Sequence, residues 1–263
     1  MPRANRFFLP GYVWHITHRC HKREFLLKFA RTRQRYQHWL YQARKRFAIE
    51  ILNYTITSNH IHIIVRNRGG KNEIPDLVQL VAGRTGQEYN ARKGRKGAFW
   101  EDRYHATAIE TGKHLQRCLT YVDLNMVRAG AVKHPEQWGH GGYHEIQGNR
   151  RRNTIVDLNA LEDVLELGSR EALIAAHRDW IAEALRNEDQ RRENIWSRSL
   201  AVGSAEFVRQ AQRTLGHQGR NRALAESGGA SVLREAEERY GPVLGVENRP
   251  IRSKNAHLWD VNC

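Results

Sequence analysis

No run of eighteen or more apolar residues occurs anywhere in the 263-residue chain, so nothing in it reads as a membrane span. Cysteine is scarce. Cys20, Cys118 and Cys263 stand far apart, which fits neither a disulfide framework nor a Cys-x-x-Cys zinc site. The opening stretch, Met1 to Pro10, holds basic residues but no apolar h-region. A secretory signal is therefore not expected, and the protein reads as cytoplasmic. No fixed-period repeat is visible. Acidic residues are the last shortage: 28 Asp and Glu stand against 43 Lys and Arg, a formal net charge of +15.

That shortage is local. Residues 1–150 hold 26 basic and 11 acidic side chains, whereas residues 151–263 hold 17 of each. The whole excess thus sits in the first part, as a surface that captures phosphate backbones would require. A solubility charge has no reason to segregate in this way.

Periodicity supplies the elements. Residues 12–18 alternate and are rich in β-formers, which predicts a strand. Tyr36, Trp39, Leu40, Ala43 and Phe47 recur at helical spacing and predict a helix over residues 31–47. Strands are expected over 49–57 and 60–65, joined by the turn Ser58-Asn59. A helix over 74–91 follows, with Pro75 suited to its first turn. Then come the basic loop 92–97, a strand near 105–109, and a helix over 113–126 with Gly130 at its exit. The order βαββαβα implies an α+β fold: a ferredoxin-like antiparallel sheet with helices on one face. Beyond residues 149–153 the character changes. Helices are expected over 158–167, 170–186 and 205–215, a short one over 232–240, and an extended tail from 241. The chain therefore divides into residues 1–150, which carry the chemistry, and a mostly helical extension, residues 151–263.

Two clusters can do chemistry. On a strand, His60 and His62 project from one face while Ile61 points into the layer beneath. Two such imidazoles can grip one metal ion, or can simply be solvated on a sheet surface. Tyr121 and Asn125 lie four apart on a helix and share a face. Asn125 offers a carbonyl oxygen to a hard divalent cation, and Tyr121 a phenol able to attack phosphorus. Either could instead be structural, Tyr121 as a core residue and Asn125 as a helix terminus.

These residues together resemble a known family. The hairpin from Ile51 to Val65, with its His60-Ile61-His62, resembles the His-hydrophobe-His motif of the single-tyrosine HUH transposases. The stretch from Tyr121 to Val132 resembles their tyrosine helix, which typically runs Tyr-x-x-x-Asn-Pro-x-Arg-Ala-Gly. Phe99 to Tyr104 and Phe8 to Arg19 resemble the segments that precede these in the family's order. The likeness spans roughly residues 5–148 and is strongest to the REP-associated tyrosine transposases. Met126 departs from the pattern, standing where proline usually helps end the helix, so the helix boundary is left open.

The resemblance implies a transposase that nicks and rejoins single-stranded DNA beside a hairpin, a REP-like palindrome, through a 5′-phosphotyrosine. Tyr121 would be the nucleophile. His60, His62 and Asn125 would hold Mg²⁺ or Mn²⁺. DNA contacts are expected from Arg31, Arg33, Arg35, Arg44, Lys45 and Arg46, from the loop residues Lys93, Arg95 and Lys96, from Arg3 and Arg6 at the flanking strand, and from Arg103 and Arg128 near the centre. Arg128 could equally cap its helix. No membrane partner is expected, and monomer and homodimer both stay open. Three other readings compete. One is a catalytically silent DNA-binding regulator on the same fold. Another is a relaxase or replication-initiation endonuclease, which usually has a different motif order or a helicase module. The third is a metallohydrolase, which would need further ligands that Ile63-Ile64-Val65 does not supply.

Overall fold

In the computed structural model, which describes residues 11–70, 72–150, 152–187, 193–215 and 222–235, the first half follows the expected order. It runs β1 (Val13–Arg19), α1 (Ala30–Arg46), β2 (Ile49–Ile56), β3 (His60–Asn67), α2 (Glu73–Lys93), β4 (His105–Ile109) and α3 (Lys113–Asp123). Short helices α4 (Asn125–Arg128) and α5 (Tyr143–Ile146) come next. The four strands lie side by side as β2-β3-β1-β4, all antiparallel, which is the ferredoxin-like arrangement.

The β2–β3 turn closes through Thr57. Its backbone N–H and its hydroxyl both donate to the His60 carbonyl, at 3.0 and 2.8 Å. One face of the sheet presents Trp14, Ile16, Tyr54, Ile61 and Ile63 to α1 and α2, and all five are buried. On that side Gln37 of α1 reaches the Tyr54 hydroxyl, and the Trp100 indole donates to Ala82 of α2. The opposite face carries His15, Thr17, His62, Ile64 and Thr107, and α3 lies across it. Leu115, Cys118, Leu119 and Val122 form the buried stripe of α3, and that stripe turns Tyr121 toward the sheet.

The extension adds α6 (Leu158–Leu165), α7 (Arg170–Arg186), α8 (Ile195–Arg198), β5 (Ala201–Gly203), α9 (Ala205–Thr214), β6 (Arg222–Ser227) and β7 (Ala230–Glu235). β5 pairs in parallel with β4, and the sheet continues as β5-β7-β6 to seven strands. The short helix expected from residue 232 is instead β7. Val232 and Leu233 are both fully buried, so the strand lacks the alternation that marks a half-exposed one. Gly228 and Gly229, at φ 58° and 71°, form the two-residue turn before it. The rest of that segment and the tail from 241 lie outside the described residues. No helix among the described residues is long and apolar enough to cross a membrane.

Candidate active site

β3 carries His60 and His62 on the face that α3 covers. Their partners across the sheet are Arg19 and Thr17 of β1, and their ring centroids lie 4.9 Å apart. His60 sits at the mouth of the turn. Its Nδ1 is 2.7 Å from the Asn59 side-chain oxygen, which only accepts, so the proton is on Nδ1. The Asn59 amide is oriented by donating to the Arg23 carbonyl at 3.2 Å.

His62 is fixed the same way through a longer chain. His15 on β1 stacks on it, with centroids 5.0 Å apart and planes within 5°. His15 Nδ1 lies 2.9 Å from the Trp196 carbonyl, which requires a proton on that nitrogen. His15 is fully buried, and desolvation pushes its pKa down to about 3, so its other nitrogen, Nε2, only accepts. His62 Nδ1 donates to it at 2.8 Å. The remaining nitrogen of His62 then faces the site as a lone pair and receives the Asn125 amide at 2.9 Å. A half-turn of that amide would present its oxygen instead.

Tyr121 stands edge-on to both imidazoles, with centroids 5.8 Å from His62 and 6.3 Å from His15. The expected continuous helix over 113–126 is broken at Leu124, at φ −78° and ψ 4°. It resumes as α4 and ends at Gly130, at φ 68°, as the sequence suggests. The break turns Asn125 toward His62. Arg128 spans it: the guanidinium lies 4.1 Å from the Tyr121 ring centroid and donates to the Tyr121 carbonyl. Asp123, between Tyr121 and Asn125, points away from the site. It accepts from His177 of α7 at 2.8 Å and from Asn53 at 3.0 Å. A bulge between Ile51 and Asn53 in β2 brings the Asn53 amide to that position.

Tyr121, His60, His62 and Asn125 therefore meet in one place. No group of three or more His, Cys, Asp or Glu converges as a cation site among the described residues. The donor set here is two imidazole nitrogens and one carboxamide, which suits a small divalent cation with nitrogen and oxygen ligands. The buried thiols do not compete as nucleophiles, since burial raises Cys20 to about 12 and Cys118 well above its ordinary range.

The basic residues sort unevenly. Arg31, Lys45, Arg46, Lys93, Lys96 and Arg103 are exposed. Arg33 does not belong with them. It is buried, donates to the carbonyls of Leu27 and Lys28 at 2.9 and 2.7 Å, and stacks on Trp138, so no phosphate reaches it. Arg35 is committed to Glu88 through two hydrogen bonds, at 2.6 and 2.7 Å. Arg44 holds the Thr154 carbonyl at 2.7 Å and faces Asp157 at 3.5 Å. Arg95 pairs with Glu24 at 3.8 Å. Arg3 and Arg6 lie outside the described residues.

Sequence reasoning missed His15, Trp196 and Asn59 as parts of this site. Only for His15 was there a signal, because strand parity places it beside Thr17 on one face of β1.

Residues 10–125 match the family of IS200-like transposases. Among solved structures, a REP-associated tyrosine transposase bound to a REP hairpin is similar, at 21% identity and a TM-score of 0.48, over 56% of this chain and 86% of that one. A candidate transposase from Deinococcus radiodurans is similar at 11% identity and a TM-score of 0.32, over 48% of this chain and 95% of that one. No curated protein matches the chain. The motif order and the strand order are both in place over residues 10–125, the stretch that is similar to the IS200-like transposases.

Proposed function

We propose that this chain is a transposase that cuts and rejoins single-stranded DNA beside a hairpin, through a covalent link to Tyr121. The observation that carries this reading is the convergence of Tyr121 with His62 and Asn125, with the amide 2.9 Å from His62. The tyrosine oxygen attacks the scissile phosphorus in line. The bond between tyrosine and phosphorus forms, the bond to the 3′-oxygen breaks, and the phenol's proton ends on that oxygen. The products are a 5′-phosphotyrosine and a free 3′-hydroxyl. Because the phosphodiester is conserved, another 3′-hydroxyl can reverse the step without a nucleotide cofactor.

His60, His62 and Asn125 are the residues that would hold Mg²⁺ or Mn²⁺, and the ion would supply charge neutralisation at the phosphate oxygens. Arg128 orients the nucleophile from two sides, through the ring face and the carbonyl. Thr57, Asn59 and His15 hold the two imidazoles so that neither can turn its N–H into the site. The exposed basic residues of the first part would follow the DNA backbone.

One observation favours a regulator that binds without cutting: Tyr121 is only 5% exposed. A single experiment separates the two readings. The protein is mixed with an end-labelled hairpin oligonucleotide carrying a single-stranded flank, with Mn²⁺ or with EDTA, and run on a denaturing gel. An adduct that needs Mn²⁺ and is lost in Tyr121→Phe is expected. An adduct that persists in Tyr121→Phe would place the nucleophile elsewhere, and hairpin binding with no adduct in any lane would favour the regulator.

A further inference from the structure

Between β1 and α1 the chain exposes two phenylalanines that no packing argument explains. Phe25 is 62% exposed and Phe29 44%, in the segment that joins β1 to α1. Between them Leu26 and Leu27 are buried and anchor the segment. Its backbone is tied at several points. Cys20 N–H donates to Asn59, Leu27 N–H to Ser58, and the buried Arg33 holds the carbonyls of Leu27 and Lys28. Lys22 and Arg23 both sit at positive φ, 51° and 61°, a conformation that side chains rarely adopt. The two rings thus stand on a braced support, and their exposure does not come from a loose loop.

The surroundings define what would cover them. Lys22, Arg23 and Lys28 are exposed in the same segment, Arg31 follows in the first turn of α1, and Lys93 joins them from the end of α2. The ammonium groups of Lys28 and Lys93 lie 5.1 and 5.2 Å from the Phe29 ring centroid. The segment's one acid, Glu24, is paired with Arg95. The occupant must therefore carry negative charge at close spacing and present flat apolar faces. A nucleic acid with unpaired bases does both, whereas a duplex keeps its faces stacked inside.

Position supports the same occupant. Asn59 bonds His60 Nδ1 through its oxygen and the Arg23 carbonyl through its nitrogen, so the Arg23 end of this segment lies one side chain from His60.

We propose that Phe25 and Phe29 are a base-stacking platform for the unpaired DNA strand adjoining the cleavage centre, with Lys22, Arg23, Lys28 and Lys93 receiving its phosphates. This rests on the proposed function for its substrate but makes a separate claim about binding.

The test measures binding without cleavage. Fluorescence anisotropy with fluorescein-labelled (dT)12 and with a blunt duplex of the same length is recorded in EDTA, for the full chain and for Phe25→Ala, Phe29→Ala and Phe25→Trp. Each alanine variant should weaken (dT)12 binding about 10-fold while changing duplex binding less than about 2-fold. Phe25→Trp should bind (dT)12 as tightly as the parent. Both rings are exposed, so thermal melts should match the parent, and a variant whose melt shifts is replaced by the Phe25→Ser or Phe29→Ser change. Unchanged (dT)12 affinity, or equal loss on both probes, overturns the platform. If the adduct forms but (dT)12 binding ignores Phe25 and Phe29, the platform fails alone. If binding depends on the rings and no adduct forms, the cutting reading fails alone.

Discussion

His15 Nε2 lies 2.8 Å from His62 Nδ1, and the other nitrogen of His15 lies 2.9 Å from the Trp196 carbonyl. A residue of the first strand and a backbone group of the extension thereby set which nitrogen of His62 faces the site. Outer partners of this kind orient a ligating imidazole and raise its basicity.

Replacing His15 should therefore weaken the proposed metal binding without removing any of its proposed ligands. In His15→Phe, Mn²⁺ affinity read by electron paramagnetic resonance titration should fall about 10- to 100-fold. An affinity within 2-fold of the parent would dismiss the relay.

Arg128 holds Tyr121 by its ring face and by its carbonyl. Only a planar guanidinium does both at once. Arg128→Lys should lose most of the adduct-forming rate, about 10-fold or more, while hairpin affinity changes little. If the lysine variant forms adduct at the parental rate, the guanidinium is not what positions the ring.

The Asp123–His177 pair, with both side chains 1% exposed, ties the tyrosine helix to α7. His177→Leu leaves the carboxylate buried with one partner fewer. Leaving a buried charged acceptor one hydrogen bond short costs about 1–3 kcal/mol, which should show as a lower urea midpoint. A midpoint equal to the parent's would mean that the carboxylate is not held by His177.

His140 reports pH. Desolvation, with a smaller push from Arg33, lowers its pKa to about 4, while the unfolded imidazole titrates near about 6.5. The folded state thus binds fewer protons, and the contribution is intact above the unfolded value and lost as pH falls toward 4. The parent's urea midpoint should drop between pH 7 and 4 more steeply than that of His140→Gln. Parallel curves would show that His140 contributes nothing to the slope.

Much of the fold was legible in the amino-acid order because its signals are local. Alternation marked β1, the turn Ser58-Asn59 between two β-forming runs marked β2 and β3, and the spacing of Tyr36, Leu40 and Ala43 marked α1. The same local rules put His60 and His62 on one face, and Tyr121 within a turn of Asn125. β7 was not legible, because Val232 and Leu233 are buried on both sides and a run without alternation does not distinguish strand from helix. Nor was the fate of the arginines. Arg31 and Arg33 look alike in sequence, yet one is exposed and the other is turned inward to two carbonyls and a tryptophan.

The sequence by itself determined the element order, the histidine pair's common face, the tyrosine–asparagine spacing and the segregation of charge, since each depends on neighbours a few residues away. The tertiary structure alone decided that His15 backs His62, that Trp196 backs His15 across 181 residues of chain, and that the extension continues the sheet by three strands. Those contacts arise from packing between distant segments, and no short-range pattern of side chains encodes a partner so far along the chain.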